Sequence, residues 1–156
     1  MAGSVHLGTQ GWNYPAWVGP FYPPRTRAPE LLTVYARAFD TVEVDSTFYA
    51  VPSAKTVRGW GERTPPHFRF ALKMPQEITH ERRLRDCAGA AREFLDRARE
   101  LEDKLAVVLL QFGPDFTPAE LPALAEFLPA LPQDVRFAVE FRHRGWIYDG
   151  VLALLG

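Results

Sequence analysis

TVEVDSTFY, residues Thr41–Tyr49, is the stretch from which the fold can be read. Val42 and Val44 alternate with polar residues, and the flanking Phe39 and Phe48 add aromatic bulk, so the stretch reads as a β-strand. Glu43 and Asp45 sit two residues apart inside it. The period of a strand puts both carboxylates on one face. Two acids on a buried strand are costly unless they are paired, hydrogen-bonded or used.

The segments on either side supply partners. Val5–Leu7 reads as a first strand running into the glycine-bearing turn Gly8–Trp12. The loop from Trp12 to Arg27 holds Tyr14, Trp17, Phe21 and Tyr22 among its prolines, either packed as a structural loop or serving as a stacking lid. A helix is expected from Pro29, with Leu31, Leu32, Tyr35 and Phe39 at helical spacing. After the Thr41–Tyr49 strand, Ser53 is placed to cap a short helix carrying Val57 and Trp60.

Further strands follow at Phe68–Met74 (FRFALKM), Lys104–Phe112 (KLAVVLLQF) and Arg136–His143 (RFAVEFRH). Between them lie a loop, Gln76–Leu84 (QEITHERRL), and a helix over Asp86–Glu102. Thr117-Pro118-Ala119-Glu120 is a T-x-x-E capping box that opens another helix. A last helix starts near Tyr148.

Strand and helix therefore alternate about five times, roughly every 30 residues, which implies βαβ units and a parallel sheet. An open doubly wound sheet and a (β/α)8 barrel both fit. The G-x-G-x-x-G turn of the dinucleotide-binding open sheet is missing after the first strand. A barrel needs about 250 residues, so 156 hold about five of eight units in one apparently truncated domain.

Composition narrows the function classes. A net charge of −1 spreads no polyanion-binding field over the molecule. One cysteine, Cys87, excludes an internal disulfide and a zinc cluster and reads as structural. No apolar run approaches the roughly 20 residues that span a bilayer. The opening residues lack a basic segment followed by an apolar core, so a cytoplasmic protein without a membrane partner is expected.

In either architecture ligands bind at the C-terminal ends of parallel strands. The polar residues late in the strands are Gln10 and Trp12, Glu43 and Asp45, Lys73, Gln111, then Glu140 and Arg142 with His143 just beyond. Glu43, Lys73, Glu140 and Arg142 either neutralise one another in a barrel interior or face a ligand. As ligand groups, Lys73 and Arg142 would hold an anion, and Glu43 or Asp45 would act as a general base if burial raised its pKa. His80 would shuttle protons or ligate a metal, for which Glu43, Asp45 and Glu140 would be the other ligands. No spacing is diagnostic of a metal site, and no cofactor is identified.

The segments GTQGWNYPAWVGPFYP, TVEVDSTFYAVPS, FALKMPQEITHERRL, LLQFGPDF and VEFRHRGW together resemble, in order, the signatures of the YecE-like family, domain of unknown function 72. The resemblance implies a TIM barrel of roughly 240 residues, the usual barrel length, of which this chain would lack strands six to eight. It points to Trp12, Tyr14, Asp45, Phe48, Tyr49, Lys73, His80, Gln111, Glu140, Arg142 and Trp146. Asp45 stands where the family usually has asparagine, which shifts the need for a carboxylate to Glu43 or Glu140.

The leading expectation is an enzyme with hydrolytic or proton-transfer chemistry on a small anionic or sugar-like substrate. Glu43, Lys73 and Glu140 would be catalytic, and Trp12, Tyr14, Asp45, Tyr49, His80, Gln111 and Arg142 would bind substrate. The alternative is a non-catalytic ligand- or nucleic-acid-binding module. There Trp12, Tyr14, Trp17 and Tyr22 would stack bases, with Arg82, Arg83, Arg142 and Arg144 on phosphates. A third is an inactive fragment that self-associates through open strand edges.

Overall fold

A computed structural model describes residues 5–156, in which five strands run parallel in the order in which they occur in the chain. They are β1 (Gly8–Gln10), β2 (Thr41–Val44), β3 (Arg69–Lys73), β4 (Leu105–Phe112) and β5 (Phe137–Phe141). Helix α1 (Leu31–Tyr35) joins β1 to β2. The short α2 (Ser46–Tyr49) and α3 (Ala54–Glu62) join β2 to β3, and α4 (Ala88–Ala98) follows β3. Helix α5 (Leu121–Phe127) follows β4 and α6 (Asp149–Leu155) follows β5.

A doubly wound sheet reverses its strand order at a switch point and covers both faces with helices. Here the order never reverses. One apolar cluster contains Val42, Val44, Phe70, Leu72, Val108, Leu110 and Phe112 from one face of the sheet. It also contains Leu32, Tyr35, Val57, Phe94, Leu95 and Leu124 from the helices. The helices thus share one face, as five consecutive units of a barrel-type α/β fold. Neighbouring-strand register puts Gln10, Glu43 and Ala71 level on the opposite, open face. Lys73, Leu109 and Ala138 form the next row, and Gln111 pairs with Glu140 beyond it.

Local readings hold at several joints. Ser53 caps α3 by accepting a hydrogen bond from the Thr56 amide at 3.1 Å. Pro29 lies in the first turn of the tight helical segment Ala28–Glu30 that leads into α1. Cys87 is buried at the start of α4, and burial raises its thiol pKa, which suits a structural side chain. Among the described residues no helix is long and apolar enough to cross a membrane.

Other readings are corrected. The first strand is not Val5–Leu7: Val5 and Leu7 are 91% and 70% exposed, and pairing starts at Gly8. Residues 1–4, part of the segment scanned for a leader, lie outside the described residues. Thr41–Tyr49 is a strand only to Val44. Asp45 takes a helical conformation and the next residues form α2, so Asp45 leaves the face of Glu43.

Gln76–Leu84 is not irregular, because Glu77–Glu81 wind into a π-helical turn. The helix expected over Asp86–Glu102 starts later, at Ala88. It gives way after Ala98 to the tighter turns Arg99–Lys104, kinked at Glu102, where φ is 51°. The capping box at Thr117 does not form: no side-chain cap is made there, because Glu120 is held by Arg83 and Arg85 at 2.8 and 2.5 Å.

Candidate functional site

The open face ends at a group of charged residues around Lys73. Strand β3 delivers Lys73 from a body of buried apolar residues, and its side chain is only 8% exposed. The Nζ atom lies 4.4 Å from the centroid of the Phe48 ring, supplied by α2. That cation–π contact is the only direct side-chain partner of Lys73 among the described residues. Helix α2 is pinned by Thr47, fully buried, whose hydroxyl lies 2.9 Å from the Val44 carbonyl and 2.7 Å from the Lys73 carbonyl. The turn that displaces Asp45 from the strand therefore also lays Phe48 beneath the ammonium.

Glu43 lies on the same open face, one row earlier. No hydrogen bond or ion pair holds its carboxylate among the described residues. Burial pushes its pKa above the ordinary value; Lys73 pulls it down, and Glu140 and Asp45 push it up. Glu140 is held in the opposite sense. The Gln111 amide donates to its Oε1 at 2.7 Å and lowers its pKa, burial opposes this, and the Arg142 Nε at 3.2 Å lowers it further. The two carboxyls thus differ: one is unpaired and resists ionisation, the other is paired and ionises readily. Of the neutralising pairs expected inside a barrel, Glu140 with Arg142 is made, while Glu43 and Lys73 stay beyond ion-pair distance.

His80 reaches the group from the π-helical turn. Its ring meets the Phe48 ring edge-on at 4.9 Å, so Phe48 carries Lys73 on its face and His80 at its side. Thr79 Oγ1 lies 2.8 Å from Nδ1. Burial, then Lys73, lowers the His80 pKa, Asp115 raises it, and Arg142 and Arg83 lower it, which keeps the imidazole neutral near pH 7. A side chain at Gly113 would meet Asp115 Oδ1 at 2.6 Å and approach His80 Nε2 at 3.5 Å, so a larger residue there would displace the Asp115 side chain.

The first loop is packed on itself. Tyr22 is fully buried and donates to the Trp12 carbonyl at 2.5 Å, while the Trp12 ring packs edge-on against Trp60 at 5.8 Å. Tyr14 donates to the Gln10 carbonyl at 2.6 Å and packs against Trp17 at 4.6 Å. Burial, and then the charge of Asp45, raise the Tyr14 pKa. The structure therefore gathers Glu43, Asp45, Lys73, His80, Gln111, Glu140 and Arg142, with Tyr14 at the rim beside Asp45. Trp12 points to the core edge, and Tyr49, 70% exposed, lines an adjoining cleft of about 330 Å³ with Phe48, Glu77 and Arg82.

Sequence reasoning left Phe48, Thr47 and Thr79 out of the site. Phe48 was visible as a motif aromatic, but its place under Lys73 depends on the turn at Asp45. Two arginines offered for phosphate contact are already engaged. Arg82 binds Glu77 at 2.9 Å, and Arg83 binds Asp115 at 2.6 Å and Glu120 at 2.8 Å. No group of three or more His, Cys, Asp and Glu side chains converges as a metal shell among the described residues.

The signature segments carrying these residues recur elsewhere. The family model described as protein of unknown function DUF72 matches residues 6–156. The chain belongs to the DUF72 family. Among curated DUF72 relatives, the UPF0759 protein YecE of Escherichia coli (strain K12) is 37% identical over 146 residues. That match covers 94% of this chain and 51% of the relative. The UPF0759 protein YunF of Bacillus subtilis (strain 168) is 31% identical over 149 residues, covering 91% and 52% respectively.

The crystal structure of a DUF72 family protein from Thermotoga maritima superposes with a TM-score of 0.79 at 28% identity. It covers 96% of this chain and 60% of that one. A DUF72 structure from Enterococcus faecalis, at 22% identity and a TM-score of 0.77, supports the fold. The chain spans about half the length of the curated DUF72 relatives it matches.

Proposed function

We propose that the strand C-termini form the active site of an enzyme that transfers protons, in hydrolysis or isomerisation, on a small anionic or polyhydroxylated substrate. One observation carries this reading. Glu43 is a partly buried, unpaired carboxyl with a raised pKa, near the unpaired ammonium of Lys73. A carboxyl whose pKa burial raises is a stronger base once ionised and is suited to take a proton from a substrate or from water. Lys73 lies where negative charge would develop as that proton leaves, and its low exposure strengthens the attraction.

Glu140, ionised and oriented by Gln111 and Arg142, is the second carboxylate. Environments that push two carboxyls apart in pKa mark separate acid and base roles. Asp45, Tyr14 and Tyr49 provide acceptors and ring faces at the rim for hydroxyl groups and ring carbons. Gln111, Arg142 and His80 orient the substrate from the other side.

The test is turnover by this chain, and by the longer E. coli relative, across panels of phosphate esters, lactones and aldose–ketose pairs. Glu43→Gln is expected to lower turnover by about 100-fold or more. Unchanged turnover in Lys73→Ala would remove Lys73 from the mechanism, and unchanged turnover in Glu43→Gln would remove the proposed base.

A further inference from the structure

We infer that Lys73 is the centre of an oxyanion-binding subsite, taking a phosphate or carboxylate group of the substrate between β3, α2 and the turn after β4. This inference rests on the reading of the strand C-termini as a substrate site and narrows it from polar substrates in general to those bearing an oxyanion.

The first support is an unmatched charge. Buried ions are ordinarily paired and hydrogen-bonded, because removing them from water is costly. Lys73 is more than nine-tenths buried as a residue, and its ammonium, which keeps a small opening to solvent, has neither a carboxylate within ion-pair distance nor a hydrogen-bond acceptor among the described residues. The Phe48 face offers partial compensation from one side. Three N–H donors remain for whatever occupies the other side.

The neighbours leave that side electrostatically open. Glu140 is spoken for by Gln111 and Arg142. Asp115 is taken by Arg83. Among the described residues, Glu43 and Asp45 are the nearby acids whose carboxyls lack a hydrogen bond or ion pair, and the environment of Glu43 disfavours its ionised form. A neutral His80 packs on the same Phe48 ring, with Nε2 toward Gly113, the side on which the Asp115 carboxylate also lies. An oxyanion on the open side of the ammonium would meet Lys73, beside an uncharged imidazole. Binding would further favour protonated Glu43, since two anions would otherwise share one cation.

The experiment is calorimetric titration of this chain with inorganic sulfate, inorganic phosphate and acetate at constant ionic strength. Sulfate keeps its charge across the working pH range and so reports the protein's own titration, while acetate separates carboxylate from phosphate-like recognition. A measurable affinity for at least one of the three is expected. Lys73→Met should weaken it roughly tenfold or more, the loss expected for a hydrogen bond to a charged group. Glu43→Gln, which keeps the lysine and removes its competing acid, should tighten it several-fold.

The Glu43→Gln arm decides the matter if Lys73→Met fails to fold. Absence of binding in both the parent and Glu43→Gln overturns the subsite, as does equal affinity in Lys73→Met. Turnover of uncharged polyols without anion binding would overturn this inference and leave the proposed proton chemistry standing. Anion binding without any turnover would do the reverse.

Discussion

Thr47 shows how much a single hydroxyl can organise. Its oxygen reaches two carbonyls, one at the end of β2 and one at the end of β3, from a fully buried position. Thr47→Val keeps the shape and removes the one hydroxyl hydrogen that those two carbonyls share. The expected cost is about 1–3 kcal/mol, read as a lower denaturant midpoint. Phe48 should loosen with it, exposing Lys73 to solvent.

Glu43 yields a pH prediction at the same scale. Its folded pKa is raised above the unfolded value, so its contribution is present at low pH and lost as pH rises through the folded pKa. Glu43→Gln has no such loss. Its melting temperature should gain on the parent as pH rises from the ordinary carboxylate range through the range where the folded Glu43 ionises. A gap that stays constant across that range would show that Glu43 ionises without cost.

Among elements, the segment after β3 and the start of α5 are held by charge, with no side-chain helix cap at Thr117. Arg83 and Arg85 both reach Glu120, whose pKa is lowered by these arginines against the effect of burial. Thr117→Ala is therefore expected to change stability by no more than about 0.5 kcal/mol, because no cap is lost. Glu120→Ala should cost about 1 kcal/mol, because it removes the contact of two arginines with the start of α5 while Arg83 keeps Asp115 and Arg85 keeps water. Equal effects in chemical denaturation would restore the capping box.

The same comparison shows where local sequence falls short. Alternation in TVEVDSTFY fits a strand from end to end, because Val, Thr, Phe and Tyr all favour strands. What ends the strand is Thr47 finding carbonyls on two strands, a tertiary event. T-x-x-E likewise predicts a cap that distant arginines dismantle. By contrast, the apolar bodies of β3 and β4 and the Ser53 cap depend on near neighbours alone, and these were legible. So was the sheet class, because strand–helix alternation repeats along the whole chain. The polar residues late in the strands marked Glu43, Lys73, Gln111 and Glu140, but the pairing that separates Glu140 from Glu43 depends on register between β4 and β5.

At the scale of the molecule, β1 and β5 each have one neighbour among the described residues, and their outer edges present unpaired backbone groups. Exposed apolar side chains flank both: Val5 and Leu7 near β1, and Ile147, Leu152 and Leu155 beyond β5. Concentration-dependent association of this chain is the expected behaviour in sedimentation velocity. A single monomeric species at all concentrations would mean that the edges are shielded. Closed pairing of β5 of one copy with β1 of another would keep every strand parallel, and a ring so formed would leave no edge.

The sequential strand order also bears on how the chain is made. Each strand pairs with the one before it, and the helix between them packs onto sheet already laid down. As the polypeptide leaves the ribosome, each of β2 to β5 finds its earlier neighbour waiting, and no pairing among the five described strands runs ahead of translation. The sheet can therefore grow in one direction, unit upon unit, at the pace of synthesis. Lys73 gains its platform early, since Phe48 and Thr47 emerge before it does.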